Sequence, residues 1–367
     1  ILLKTCDNLY ELLNCHIQPT PTQRLNIKPM HTKHLLSLLI CCMCSIGMSG
    51  QSYSQMWKKV EKASAADTPV SALQEVNSIL TKANVEDNKK ERLRAWITRY
   101  YLQKDISADS AKVYLKLFEE ALPNENSPIY KALYHSALGI CYQEESHNYG
   151  LDNLTREQHK KLSLSHFEAS LSQPEALASA NVKDYLPLFV YAEGSKWFGN
   201  DLLHILFEVF INRTNIDNTT YGQWADKIAT IYNNRHMREA VLLITLNKWQ
   251  RLYGEQQLKG KIEDNAYFGK LASLYAQNKD LEVNVQTANR IVGLSNAYRA
   301  QSAFAQHNDS VLYHFALQAL ALYGKSKSDA ANTLRNFKAT LTLPAAKLTG
   351  VNSQLYPQDL CKLRIKA

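Results

Sequence analysis

From Ser54 to Ala339 the sequence repeats one pattern: apolar residues three and four positions apart, with polar residues between them. That spacing puts the apolar side chains on one face of an α-helix, and each such face has to be buried against a neighbour. Thr68-Pro69 opens one segment. Thr68 can accept from the open amides of the first turn, and Pro69 lacks the donor that would go unpaired there. Leu73, Val76, Ile79 and Leu80 then share a face. Ser127-Pro128 repeats the device ahead of Tyr130, Leu133, Tyr134, Ala137, Ile140 and Cys141. Further helical periods run over 88–103, 107–121, 156–171, 200–211, 221–233, 236–253, 263–277, 280–292, 296–306, 310–323 and 328–339.

Connections such as PNENS (123–127) and GKSKS (324–328) are short, so successive helices are expected to lie antiparallel. Ala316 and Ala319, one turn apart, leave room for a close neighbour. Only 13 Gly and 10 Pro argue against a barrel or sandwich with many tight turns. A strict 34-residue period is missing. The expected fold over 54–340 is therefore mainly α, an irregular antiparallel helical-hairpin array of tetratricopeptide-like α-solenoid type, broken near 194–200.

Both ends depart from this pattern. At the C-terminus Leu341 and Leu343 alternate with Thr340 and Thr342, and Pro344, Gly350 and Pro357 mark a turn-rich stretch. In the final DLCKLRIKA, Cys361, Leu363 and Ile365 alternate with Lys362, Arg364 and Lys366, the two-residue period of a strand. Residues 341–367 are thus expected to be a short β tail. With no sheet in sight to join, 344–367 is expected to be poorly ordered or loosely docked.

Near the N-terminus, residues 30–50 run from Met30 and basic Lys33 through the apolar Leu35–Ile46 to the small residues Gly47, Ser49 and Gly50. That is the order of a secretory signal peptide, with cleavage expected around Ser49, Gly50 and Gln51. The apolar run is short of the roughly 20 residues a spanning helix needs, so no transmembrane helix is expected after its removal. Residues 1–29 fit no part of a signal and read as a spurious upstream extension, with translation beginning at Met30. Export to the periplasm or cell envelope follows from this reading.

Chemistry is scarce. The +8 charge is spread along the chain without a run of like charges, so no nucleic-acid partner is expected. Cys6, Cys15, Cys41, Cys42, Cys44, Cys141 and Cys361 form no disulfide framework, and the Cys41–Cys44 spacing has no partner pair for zinc. GSKWFGN (194–200) has Asn200 where a phosphate loop needs Lys, so it reads as a turn before a helix. CYQEE (141–145) places Gln143 two residues from Cys141, where a thioester needs three. His31 and His34 fall in the signal. His166, His204 and His314 stand singly on helices, as packed or solvated residues. Trp57, Trp96, Tyr100, Tyr101, Trp197, Trp224, Tyr232 and Trp249 suit inter-helix packing better than sugar stacking. Asn153, Asn212, Asn218 and Asn308 head chance glycosylation triplets. No catalytic residue, cofactor or metal is expected.

Three stretches carry a resemblance: SYSQMWKKVEKASAADTPVSALQEVNSILTKA (52–83), YLPLFVYAEGSKWFGNDLLH (185–204) and TLTLPAAKLTGVNSQLYPQDLCKLRIKA (340–367). Together they resemble the N-terminal region of the large exported α2-macroglobulin family proteins of Bacteroidetes. There a helical array precedes a string of β-sandwich domains. The resemblance implies that 341–367 starts a truncated macroglobulin-type β domain. It also implies a non-enzymatic scaffold or docking region, in a protein whose whole form inhibits or traps endopeptidases, with proteases or envelope proteins as partners. The alternative is a SusD-like or other tetratricopeptide-type binder of the bacterial outer membrane.

Overall fold

The computed structural model describes residues 51–147, 154–189, 193–254, 258–301, 305–342, 347–349 and 364–366. The signal-like segment, Ser49 and Gly50, and Cys361 and Leu363 of the tail lie outside them. The chain is mainly helical and divides into two compact units, one ending at Asp217 and one beginning at Asn218. The break expected near 194–200 is instead a run of short helical turns inside the first unit.

The first unit holds α1 (Tyr53–Ala65), α2 (Pro69–Val85), α3 (Lys89–Ile106), α4 (Ala108–Ala121), α5 (Pro128–Glu145), α6 (Arg156–Ser170), α7 (Pro174–Ser179) and α8 (Leu202–Arg213). Each of α1 to α5 packs on the helix after it. Contacts between α3 and α5, and of α8 with α5, α6 and α7, tie the unit together. Val76, Ile79 and Leu80 of α2 are buried with Trp57 of α1 and Ala95 of α3, and Leu73 packs against them, as their spacing anticipates. Burying such a side chain contributes about 1.5–3 kcal/mol.

Two turns in this unit share one construction. Asp67 and Asp87 adopt positive φ (53° and 46°) just past α1 and α2. The next amide, of Thr68 or Asn88, donates back to the carbonyl of Ala63 or Ala83 at 3.0 and 2.9 Å. The preceding amide, of Asp67 or Asp87, bonds Ser64 or Asn84. This is the Schellman closure, with aspartate where glycine is usual. It corrects the reading of Thr68: its hydroxyl donates to Ala63 O at 2.9 Å and makes no bond to the first turn of α2. Thr68 thus serves the helix before it. Ser127 does cap as expected, accepting from Tyr130 N.

The second unit holds α9 (Asn218–Asn234), α10 (Arg238–Tyr253), α11 (Ala266–Gln277), α12 (Val285–Gln301), α13 (Ala305–Tyr323) and α14 (Asp329–Thr342). Consecutive pairs contact within α9–α10 and along α10 to α14, and α12 also meets α14. His236 (φ 57°) closes α9 by the same Schellman pattern, with Met237 N on Tyr232 O at 2.9 Å. Ala316 and Ala319 are fully buried in this core, beside Leu312, Ile291 and Leu334. The periods at 280–292 and 296–306 are not two helices. Val285–Gln301 is continuous because Gly293 and Ser295 carry helical backbone and no proline interrupts them. Likewise Thr340, Leu341 and Thr342 extend α14 and are not strand.

Only two short pieces of the tail lie among the described residues. Strand β1 (Lys347–Thr349) pairs antiparallel with β2 (Arg364–Lys366), Leu348 opposite Ile365. Among the described residues no helix is long and apolar enough to cross a membrane.

Candidate functional site

Polar groups of the first unit gather into clusters at and below its surface, and three of them combine the residue types that carry chemistry.

GSKWFGN forms the turn the sequence anticipates: a 3-10 segment Glu193–Phe198, then Gly199 and Asn200 with positive φ (65° and 56°). Asp201 follows as the N-cap of α8. Its Oδ1 accepts from His204 N at 3.1 Å and lies 3.0 Å from His204 Nδ1. The carboxylate acceptor places a ring proton on Nδ1, and Nε2 lies 3.1 Å from Ser195 Oγ. The Phe198 ring lies flat on the imidazole, centroids 4.7 Å apart. His204 is thus a packed histidine, as the sequence reading has it, with polar partners on both ring nitrogens.

Acid, imidazole and hydroxyl stand in the order of a hydrolytic triad. Burial decides what they do here. Ser195, Asp201 and His204 are only 2%, 4% and 3% exposed. A cavity of about 180 Å3 at Thr333, Asn336, Phe337 and Thr340, and one of about 20 Å3 beside Leu93 and Phe189, are lined by other residues. A nucleophile has to meet its substrate, whereas these three groups bond to one another and hold the 193–201 turn against α8.

The second cluster joins α3 to α5. Tyr100 donates to Glu145, Tyr101 to Glu144 at 2.8 Å, and Lys104 to Glu144 at 3.0 Å. Burial, then the neighbouring Cys141 and carboxylates, push both phenols far up. Cys141 is fully buried, and that burial raises its thiol well above the ordinary value. It is held protonated and unreactive.

In the third cluster Glu119 of α4 accepts from Tyr142 OH at 2.6 Å and lies 3.5 Å from His166 Nε2. His166 Nδ1 is 2.9 Å from His135 Nδ1, so His166 too has company the sequence did not show. Glu119 is held below the usual carboxylate range, chiefly by its bond to His166.

The remaining expected residues are dispersed. His314 is exposed, 2.9 Å from the Gln318 amide nitrogen. Gln51, exposed, accepts from Lys59 through its side chain and from Lys82 through its carbonyl. Asn308 is fully buried in the second unit. Trp57 and Tyr100 are buried between helices, while Trp197, Trp224 and Trp249 are half-buried beneath the ammonium groups of Lys196, Lys227 and Lys270. Among the described residues no group of three or more His, Cys, Asp and Glu could hold a metal ion.

No family model matches this chain, and no curated protein matches it.

Proposed function

We propose that the chain is a non-enzymatic helical scaffold that docks other proteins, an irregular antiparallel helical-hairpin array of tetratricopeptide-like solenoid type. The observation that carries this reading is where the buried polar groups go. Trp57 Nε1 donates to Glu91 at 2.6 Å across α1 and α3, Tyr100 to Glu145 across α3 and α5, and Asn284 Nδ2 to Tyr275 O at 2.9 Å ahead of α12. Such ties fix helix against helix, and in these positions they are spent on shape, not on a solvent-facing reaction centre. Within the resemblance drawn from the sequence, the tail beyond α14 begins a macroglobulin-type β domain, and the whole protein restrains endopeptidases in the cell envelope. The partners are then proteases or envelope proteins, reached after export and cleavage near Ser49–Gln51.

The experiment is a direct binding measurement of the purified chain against a panel of endopeptidases, with ester and peptide turnover recorded in parallel. The reading expects saturable binding to a peptidase and no turnover by the chain. Turnover that disappears in Ser195→Ala would replace the scaffold with a hydrolase.

A further inference from the structure

The 2.9 Å contact between His135 Nδ1 and His166 Nδ1 requires two basic nitrogens to share one proton. Both rings are held from several sides. His135 is half-buried on α5 and His166 nearly buried on α6. The Tyr142 ring lies on His166 with centroids 5.4 Å apart and planes 11° apart. Glu119 of α4 stands 3.5 Å from His166 Nε2 and is itself fixed by the Tyr142 hydroxyl.

We infer that His135 and His166 form a chelating pair for a divalent transition-metal cation of tetragonal preference, Cu2+ or Ni2+, bound through both Nδ1 atoms in place of the shared proton. Imidazole nitrogens sit about 2.0–2.1 Å from such an ion. Two of them 2.9 Å apart therefore subtend roughly 90° at the metal, the cis angle of square-planar or octahedral coordination and not the wider tetrahedral one. Glu119 occupies the place of the carboxylate behind a metal-bound histidine: it accepts the remaining ring N–H, fixes the tautomer and raises the basicity of Nδ1.

Lys131 and Glu119 both face His135, with opposite charges. His159, on α6 with His166, meets the Tyr142 ring from its own side. With two protein nitrogens and no third His, Cys, Asp or Glu converging among the described residues, water completes the coordination. Affinity is then modest and falls in acid as protons compete. No local spacing announces this site, because its two ligands come from different helices.

The test is titration of Ni2+ alone into the full chain by calorimetry at pH 7.5, with diethyl pyrocarbonate modification mapped by mass spectrometry. One ion per chain is expected, together with selective protection of His135 and His166 over exposed His314. Single His135→Ala and His166→Ala substitutions should each weaken binding at least tenfold, and Glu119→Gln by about tenfold. The protection readout needs no variant, so a misfolded substitution leaves the proposal testable. Absence of stoichiometric binding, or binding and protection that the His135 and His166 variants leave unchanged, would overturn it. The contact would then be an N–H···N hydrogen bond only.

Discussion

A Cβ placed on Gly139 would stand 3.0 Å from the ring of Phe167, closer than nearly any real carbon contact. Gly139 lies mid-way along α5, and its carbonyl accepts from Ser163 Oγ of α6 at 2.7 Å. Here the absent side chain lets two helices approach, with Phe167 fully buried over the gap. Gly139→Ala gains helix propensity but must displace a packed ring. We expect a net loss of about 1–3 kcal/mol. Urea denaturation of the variant measures it, and a gain in stability would show that Phe167 moves freely.

Asp201 holds both the backbone amide and the Nδ1 proton of His204 through one oxygen. Asp201→Ala removes the cap of α8 and strands a buried imidazole, for an expected loss of about 2–3 kcal/mol. Ser195→Ala removes only the outer hydroxyl and should cost about 1 kcal/mol. The order of the two in thermal denaturation is the check. Equal losses would mean the three residues do not act as the chain of bonds described.

His135 gives the first unit a pH dependence whose sign is fixed by burial. Its proton affinity is depressed from 6.5 to about 4, so the unfolded chain takes up this proton first as the solution is acidified. The resulting stability is whole above about pH 6.5 and is lost as pH falls toward about 4. Glu119, also depressed, adds a loss in the acid range below its unfolded value. Denaturation midpoints of wild type and His135→Gln across pH 4–7.5 should converge toward the acid end. Parallel curves would remove His135 from the account.

His236 holds a left-handed conformation at φ 57°, a strained one for any residue with a side chain. His236→Gly relieves that strain at the C-terminus of α9 and is expected to stabilise by about 0.5–1 kcal/mol after the added freedom of the unfolded chain is counted. A decrease would mean the imidazole makes a contribution larger than the strain.

What could be read from the sequence follows the range over which each interaction acts. The helical faces were legible because Val76, Ile79 and Leu80 meet the core through a period written within a few residues. The Ser127-Pro128 start was legible for the same reason. Thr68 misled because a cap and a helix closure use the same residue type, and only the backbone of Asp67 decides between them. The periods at 280–292 and 296–306 read as two helices, whereas Val285–Gln301 runs through the gap between them. The histidine clusters were hidden for a different cause. His135 and His166 are 31 residues apart in the chain, and Ser195 reaches His204 across a turn with two left-handed residues. No periodicity encodes such meetings.

The turns at Thr68, Asn88 and Met237 each give one residue to two tasks: its amide closes the helix behind, and it stands at the N-cap position of the helix ahead. Such a joint has no slack. One inserted residue would swing the next helix by about 100° around its own axis and turn its apolar stripe toward solvent. These joints can therefore change their residues over time far more readily than their length, and lineages of this chain should vary by substitution there while insertions collect elsewhere.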